Sequence, residues 1–237
     1  MDSQSTTVSV PSVSLVVSAV SADSSALESL ASNIGRLGLE STWVVDQPQM
    51  AKVLAKRIAG CQFAAAVTAR SPQRLRSELA NLQIAVQAIS QTDVVVVAGD
   101  PEQLRSRAAM LADSGIKAVV PLTLESSAAK SPRQLPCGLW QLDPTVAFPM
   151  VRSRWSLLPA RRPSLKDLLA GGSVCTAAID LGQVSGRDVH SFSQLIEEIA
   201  FAKRELQLEV FAIGQQASAL ANRHEVKPQR SILRRAA

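Results

Sequence analysis

Short valine-rich apolar runs alternate with stretches in which apolar residues recur every three or four positions, and this switch of period repeats along most of the chain. Residues 13–20 read as a buried parallel strand. Asp23 or Ser24 then caps a helix whose apolar face is Leu27, Leu30, Ile34 and Leu37, and Gly38 ends it. A second strand is predicted over 42–45, a short helix over 50–58 closed by Gly60, and a third strand over 63–68. Ser71-Pro72 opens a long helix with the face Leu75, Leu79, Leu82, Val86 and Ile89.

Residues 93–97 (DVVVV) give the clearest strand signal, followed by a helix capped by Asp100-Pro101 that runs through Leu104, Ala108 and Leu111 to Gly115. A fifth strand is predicted over 116–120. The rhythm loosens from Pro121 to Pro163, where prolines crowd and only 138–142 reads as a strand. Beyond it the pattern predicts a helix over 164–169, a strand over 174–179, a helix over 191–206, a strand over 208–213 and a last helix over 215–222.

Strands and helices alternating at this spacing make parallel βαβ units. About seven or eight parallel strands suit an irregular (β/α) barrel, a single α/β domain over residues 1–222. A doubly wound open parallel sheet is the alternative, weakened because no G-x-G-x-x-G or G-x-x-x-x-G-K-[ST] follows a strand. Residues 223–237 form a basic tail that is predicted to be disordered.

Composition narrows the function. The chain has five Phe, three Trp and no Tyr, too few rings for a surface built on stacked bases or sugars. Its three cysteines (Cys61, Cys137, Cys175) point to a reducing compartment and no disulfide framework. No apolar run is long enough to span a bilayer. Residues 10–22 have some likeness to a signal core, but the first basic residue is Arg36, so the expectation is a strand and a cytoplasmic protein. The net charge of +5 is concentrated in Arg152, Arg154, Arg161, Arg162 and Lys166, and in the tail residues Lys227, Arg230, Arg234 and Arg235. Such a tail suits an acidic partner.

The chemistry is sparse. His190 and His224 belong to different parts of the chain, and no C-x-x-C or H-x-x-x-H occurs, so no nitrogen–sulfur metal site is expected. An oxygen-ligated Mg²⁺ site stays open, since one or two carboxylates suffice, and no cofactor is assigned. No G-x-S-x-G elbow is present, and no cysteine neighbours a candidate base. A barrel places its active residues at the C-terminal strand ends. There the sequence offers Ser18, Ser21 and Asp23, then Asp46, Thr68 and Arg70, then Asp100 and Asp180. Asp23 and Asp100 are accounted for as helix caps, whereas Asp180 has no structural duty that the sequence reveals.

Three stretches together resemble the polysaccharide deacetylase (NodB-homology) family. They are 34–45 (IGRLGLESTWVV), 57–70 (RIAGCQFAAAVTAR), and 173–219 with its helix SFSQLIEEIAFAKREL followed by LEVFAIGQQASAL. The resemblance implies a metal-dependent, irregular (β/α) barrel that removes acetyl groups from amino sugars. It also implies an emptied centre. Where the family carries paired aspartates, this chain has Ser18 and Ala19; where it carries two metal histidines, Ala66 and Arg70. Where it has an Arg-Pro pair, the chain has Asp100 and Pro101, and Asp180 or a neighbour stands for its late histidine. Alanine offers no ligand and arginine stays cationic.

The resulting expectation is a non-catalytic deacetylase-like barrel, a binding or scaffold protein. It has no catalytic or metal residues, and holds a small molecule or glycan at its mouth through Ser18, Asp46, Arg70 and Asp180. One alternative is a divergent hydrolase acting on carbon–nitrogen bonds of an acetylated sugar or related amide, with a relocated carboxylate site that pairs Asp180 with Asp46 or Asp23. The other is an anionic-polymer binder that uses the basic tail.

Overall fold

The computed structural model describes residues 10–67, 71–90, 92–122, 131–149 and 162–225. In chain order the strands are β1 Ser12–Ser18, β2 Ser41–Val45, β3 Cys61–Ala66, β4 Val96–Gly99, β5 Ala118–Pro121, β6 Arg133–Gln134, β7 Trp140–Gln141, β8 Val146–Phe148, β9 Val174–Asp180 and β10 Glu209–Val210. The helices are α1 Ser24–Leu37, α2 Pro48–Ala55, α3 Pro72–Ser90, α4 Pro101–Ser106, α5 Ala108–Asp113, α6 Leu165–Leu169, α7 Gly186–Arg204 and α8 Ile213–Glu225.

The sheet order is β6-β7-β5-β4-β3-β2-β1-β9-β8, with β10 beside the start of β1. Among the described residues only the β6–β7 pairing is antiparallel. Followed round from β1, the parallel strands come in the order β1, β2, β3, β4, β5, β7, then β8 and β9, which returns to β1. Each step goes the same way round, so right-handed crossovers put the connecting helices on one face and the sheet curls. A doubly wound sheet would reverse direction and carry helices on both faces. Among the described residues no ladder joins β7 to β8, so the half-barrel has a seam there.

Alternation along the strands sorts their side chains into two cores. Val13, Leu15 and Val17 of β1 face outward and pack with Leu30 and Ile34 of α1 and with Leu195 and Ile199 of α7. Val16 faces inward, in a second cluster with Val44, Ala64, Ala98, Trp140 and Ala178. That inner cluster includes Trp140 on one side of the seam and Ala147 on the other, so side chains close what hydrogen bonds leave open. Ile213 and Ala217 of α8 belong to it too, which makes α8 a plug inside the curl.

Local capping explains where elements begin and end. Asp23 caps α1, accepting from the Ser25 and Ala26 amides at 3.1 and 3.2 Å and from the Ser25 hydroxyl, and Gly38 ends the helix at φ 62°. The Ser25 hydroxyl first, and then the Ala26 amide, hold the Asp23 carboxyl below the usual carboxylate range. A depressed folded-state pKa contributes stability above the unfolded value, lost as pH falls through the folded one. An NMR titration of Asp23 should therefore show α1's first turn keeping its cap below the ordinary aspartate midpoint. Asp100 caps α4 through the Glu102 and Gln103 amides at 3.0 and 3.1 Å. Asp100→Ala is expected to cost about 1 kcal/mol in denaturant unfolding.

Several boundaries differ from the sequence expectation. The DVVVV strand starts at Val96, because β4 is defined by its ladder to Ala118–Pro121 and not by its valines. The helix expected to run unbroken from Asp100 is two helices, interrupted at Arg107 (φ −114°, ψ 5°). Helix α7 starts at Gly186, ahead of the expected 191, because Ser185 and Asp188 form a reciprocal capping box. The strand expected over 208–213 shrinks to β10, since α8 already begins at Ile213. Strands β6 and β8 were not predicted; two and three residues are too few to show a period.

Candidate functional site

The inner face of β1 reads Ser12, Ser14, Val16, Ser18, three hydroxyls in a strand otherwise filled with apolar residues. Two of them serve the plug. Gln216 of α8, itself buried, donates to Ser12 Oγ at 2.8 Å and accepts from Ser14 Oγ at 3.3 Å. The start of α8 is held as well: the Ile213 amide donates to Thr42 Oγ1 at 2.9 Å and the Gly214 amide to Gln62 Oε1 at 2.7 Å. These contacts sit at the N-terminal ends of the strands and seal that end of the curl. Gln216→Leu leaves the buried Ser14 hydroxyl without its acceptor, while Ser12 Oγ keeps its bond to the Ser173 carbonyl at 3.1 Å, and is expected to cost about 1–3 kcal/mol, measured by thermal or denaturant unfolding.

Ser18, at the other end, has no such partner. It is 1% exposed, and its Oγ is buried without a hydrogen bond. Its register partner across the β1–β9 ladder is Asp180. Both line a cavity of about 280 Å³ at the C-terminal strand ends, with Ala66, Ala98, Leu122 and Gln183 among its walls. The cavity exists because the inner positions are small. Ala64, Ala66, Ala98 and Ala178 stand where barrel interiors of this type usually carry branched residues that fill the centre.

Two close approaches shape the rim. Ser21 adopts φ 55°, turning the chain between β1 and α1. A Cβ on Gly182 would lie 2.5 Å from the Val20 carbonyl oxygen, so only glycine lets the loop after β9 pass this turn. Asp180 Oδ1 accepts the Gly182 amide at 3.2 Å. The aspartate that the sequence left without a structural duty therefore braces this loop with one oxygen, while its carboxylate makes no ion pair among the described residues.

The other expected site residues separate. Asp46 follows β2 at a bend before Pro48, is exposed, and is not among the described residues lining the cavity. Asp23 and Asp100 serve as caps. Thr68 and Arg70 lie outside the described residues, as do Arg152, Arg154, Arg161 and the tail cations Lys227, Arg230, Arg234 and Arg235. Arg162 pairs with Glu198 at 2.7 Å on the outer surface. Sequence reasoning missed Gln183 and Leu122, which reach the cavity from loops that carry no motif.

Reactive groups are scarce elsewhere. Burial pushes the Cys61 thiol up to about 11, and burial also raises Cys175, against a smaller opposing effect of the Thr145 hydroxyl. Neither holds a thiolate at neutral pH. Among the described residues no three His, Cys, Asp or Glu side chains are grouped so as to hold a metal ion. None of the helices there is long and apolar enough to cross a membrane.

Solved structures with this architecture share little sequence with the chain. A putative polysaccharide deacetylase from Mycobacterium smegmatis superposes with a TM-score of 0.59 at 14% identity, covering 91% of this chain and 92% of its own. The chain has a NodB-like polysaccharide deacetylase fold. The Xyl-CE4 domain of a multidomain xylanase from the hindgut metagenome of Trinervitermes trinervoides is also similar, with a TM-score of 0.52, 12% identity, and 89% and 91% coverage. So is a CE4 family pseudoenzyme from Bacillus anthracis, with a TM-score of 0.50, 12% identity, and 87% and 65% coverage. No family model and no curated protein matches the sequence. The cavity lies at the C-terminal ends of the strands of this fold.

Proposed function

We propose that the chain is a non-catalytic protein of the deacetylase fold that binds a small molecule or glycan at the mouth of the half-barrel. The observation that carries this reading is the donor set at the mouth. Ser18 presents a neutral hydroxyl, Ala66 a methyl group, and Asp180 a carboxylate already braced by the loop behind it. These residues do not fit the metal ion that the fold family uses. One carboxylate and one hydroxyl make a poor binding set for zinc, which takes three or four nitrogen, sulfur or carboxylate ligands. No water activated on a metal is therefore invoked, and Asp180 has no second carboxylate beside it among the described lining residues to flank a scissile bond.

What the mouth retains is the capacity to hold a ligand. A buried hydroxyl with no partner is a cost in the empty protein, recovered when a ligand supplies the missing hydrogen bond. The test is an acetate-release assay on an acetylated amino-sugar oligomer with added Zn²⁺ or Co²⁺. The expected result is no release above the protein-free control. Metal-dependent release that is lost in Asp180→Asn would overturn the reading.

A further inference from the structure

The unspent hydrogen-bonding groups of the cavity narrow what it takes. Ser18 and Asp180 are register partners on adjacent strands, both facing the same space. The Ser18 oxygen is buried and unpartnered. Of the two Asp180 oxygens, Oδ1 receives the Gly182 amide. Asp180 is the one ionisable side chain among the described residues that line the cavity, and the remaining polar walls, Ser18, Ser21 and Gln183, are neutral. Around them stand Ala66, Ala98 and Leu122, which supply no competing cation.

A carboxylate and a hydroxyl side by side accept hydrogen bonds and carry one negative charge. A ligand group that donates several hydrogen bonds and carries a positive charge complements them, and an anionic group does not. The volume adds a limit. At about 280 Å³ the cavity lies at the low end of small-molecule sites, room for one small molecule or one unit of a longer chain.

We propose that this cavity selects a small ligand bearing a protonated primary amine, held by the Asp180 carboxylate and the Ser18 hydroxyl. The proposal rests on the reading of the mouth as a binding site and adds the charge and size of what is bound. The amine donates one hydrogen bond to Asp180 Oδ2 and another to Ser18 Oγ, while Gln183 and Ser21 remain for the ligand's other polar groups.

Calorimetric titration of the full chain with three monosaccharides of one scaffold tests it: glucosamine, N-acetylglucosamine and glucuronate, at a pH where the amine is protonated. Glucosamine is expected to bind about tenfold more tightly than N-acetylglucosamine, the worth of roughly one charge-assisted hydrogen bond, and glucuronate more weakly still. Asp180→Asn keeps an oxygen for the Gly182 amide, so its fold is preserved, and it should remove the preference for the amine. Ser18→Ala should weaken glucosamine by about three- to tenfold, as the loss of one hydrogen bond. Equal or tighter binding of the acetylated or anionic sugar would overturn the charge assignment while leaving a binding mouth in place. No binding by any probe would overturn the amine proposal outright, and the acetate assay separately decides whether the protein is catalytic.

Discussion

Trp43→Ala is expected to destabilise the protein by about 3–5 kcal/mol, the largest loss of any single truncation considered. Trp43 lies in the middle of β2 with no exposed surface, among the outward-facing residues that meet the helices. Its indole N–H donates to Ser41 Oγ at 2.9 Å, so the change leaves a buried hydroxyl behind as well as a cavity. Because β2 is paired to β1 on one side and β3 on the other, the lost packing loosens the central part of the sheet and not an edge. Urea unfolding followed by far-UV circular dichroism measures the change in midpoint. Trp43→Phe, which keeps most of the ring volume, should lose far less, and similar losses for both variants would show that the site is not packed as described.

Gly214→Ala is expected to be the next most damaging, at about 2 kcal/mol or more, because it combines overpacking with a lost hydrogen bond. A Cβ there would lie 2.2 Å from Gln62 Nε2 and 2.8 Å from Val95 Cγ2. Gln62 Oε1 accepts the Gly214 amide, so the side chain that must move away is the one that anchors the start of α8. The consequence reaches beyond stability. Helix α8 fills the N-terminal end of the curl, and lifting it exposes Ser12 and Ser14, whose hydroxyls Gln216 occupies. Hydrogen exchange should show α8 and the beginning of β1 opening together in this variant. An exchange pattern unchanged in α8 would contradict the role of plug.

The parallel half-barrel was legible because its strands are buried on both faces and read as apolar runs, while the helices carry a single apolar stripe. The caps were legible for the same local reason: Asp23, Gly38 and Asp100 act on their own neighbours, and nothing distant is needed to place them. The seam was not. It depends on β7 and β8 having only two and three residues each, and on Trp140 and Ala147 packing across it, facts of tertiary placement. The shift of β4 has the same origin, since a ladder partner and not valine content decides where a strand starts.

The site was half legible. Ser18 and Asp180 are inward-facing at the ends of adjacent strands, a parity that can be counted from the alternation in each. Asp46 has the same parity but follows β2 at a bend, and Pro48 starts α2 at once, which leads the chain out of the curl before the carboxylate can face the cavity. Gln183 and Leu122 were missed because loops have no period from which to infer direction. Ser12 and Ser14 of β1 were the clearest unread signal, since inward hydroxyls among apolar residues in a buried strand need partners that the sequence nearby does not offer.

The proposal that the mouth of this deacetylase fold takes no metal is tested most directly by titrating the purified, chelator-treated chain with Zn²⁺ in a calorimeter. No one-to-one site whose heat depends on Asp180 is expected. A single zinc bound per chain, abolished by Asp180→Ala while the protein remains folded, would contradict it.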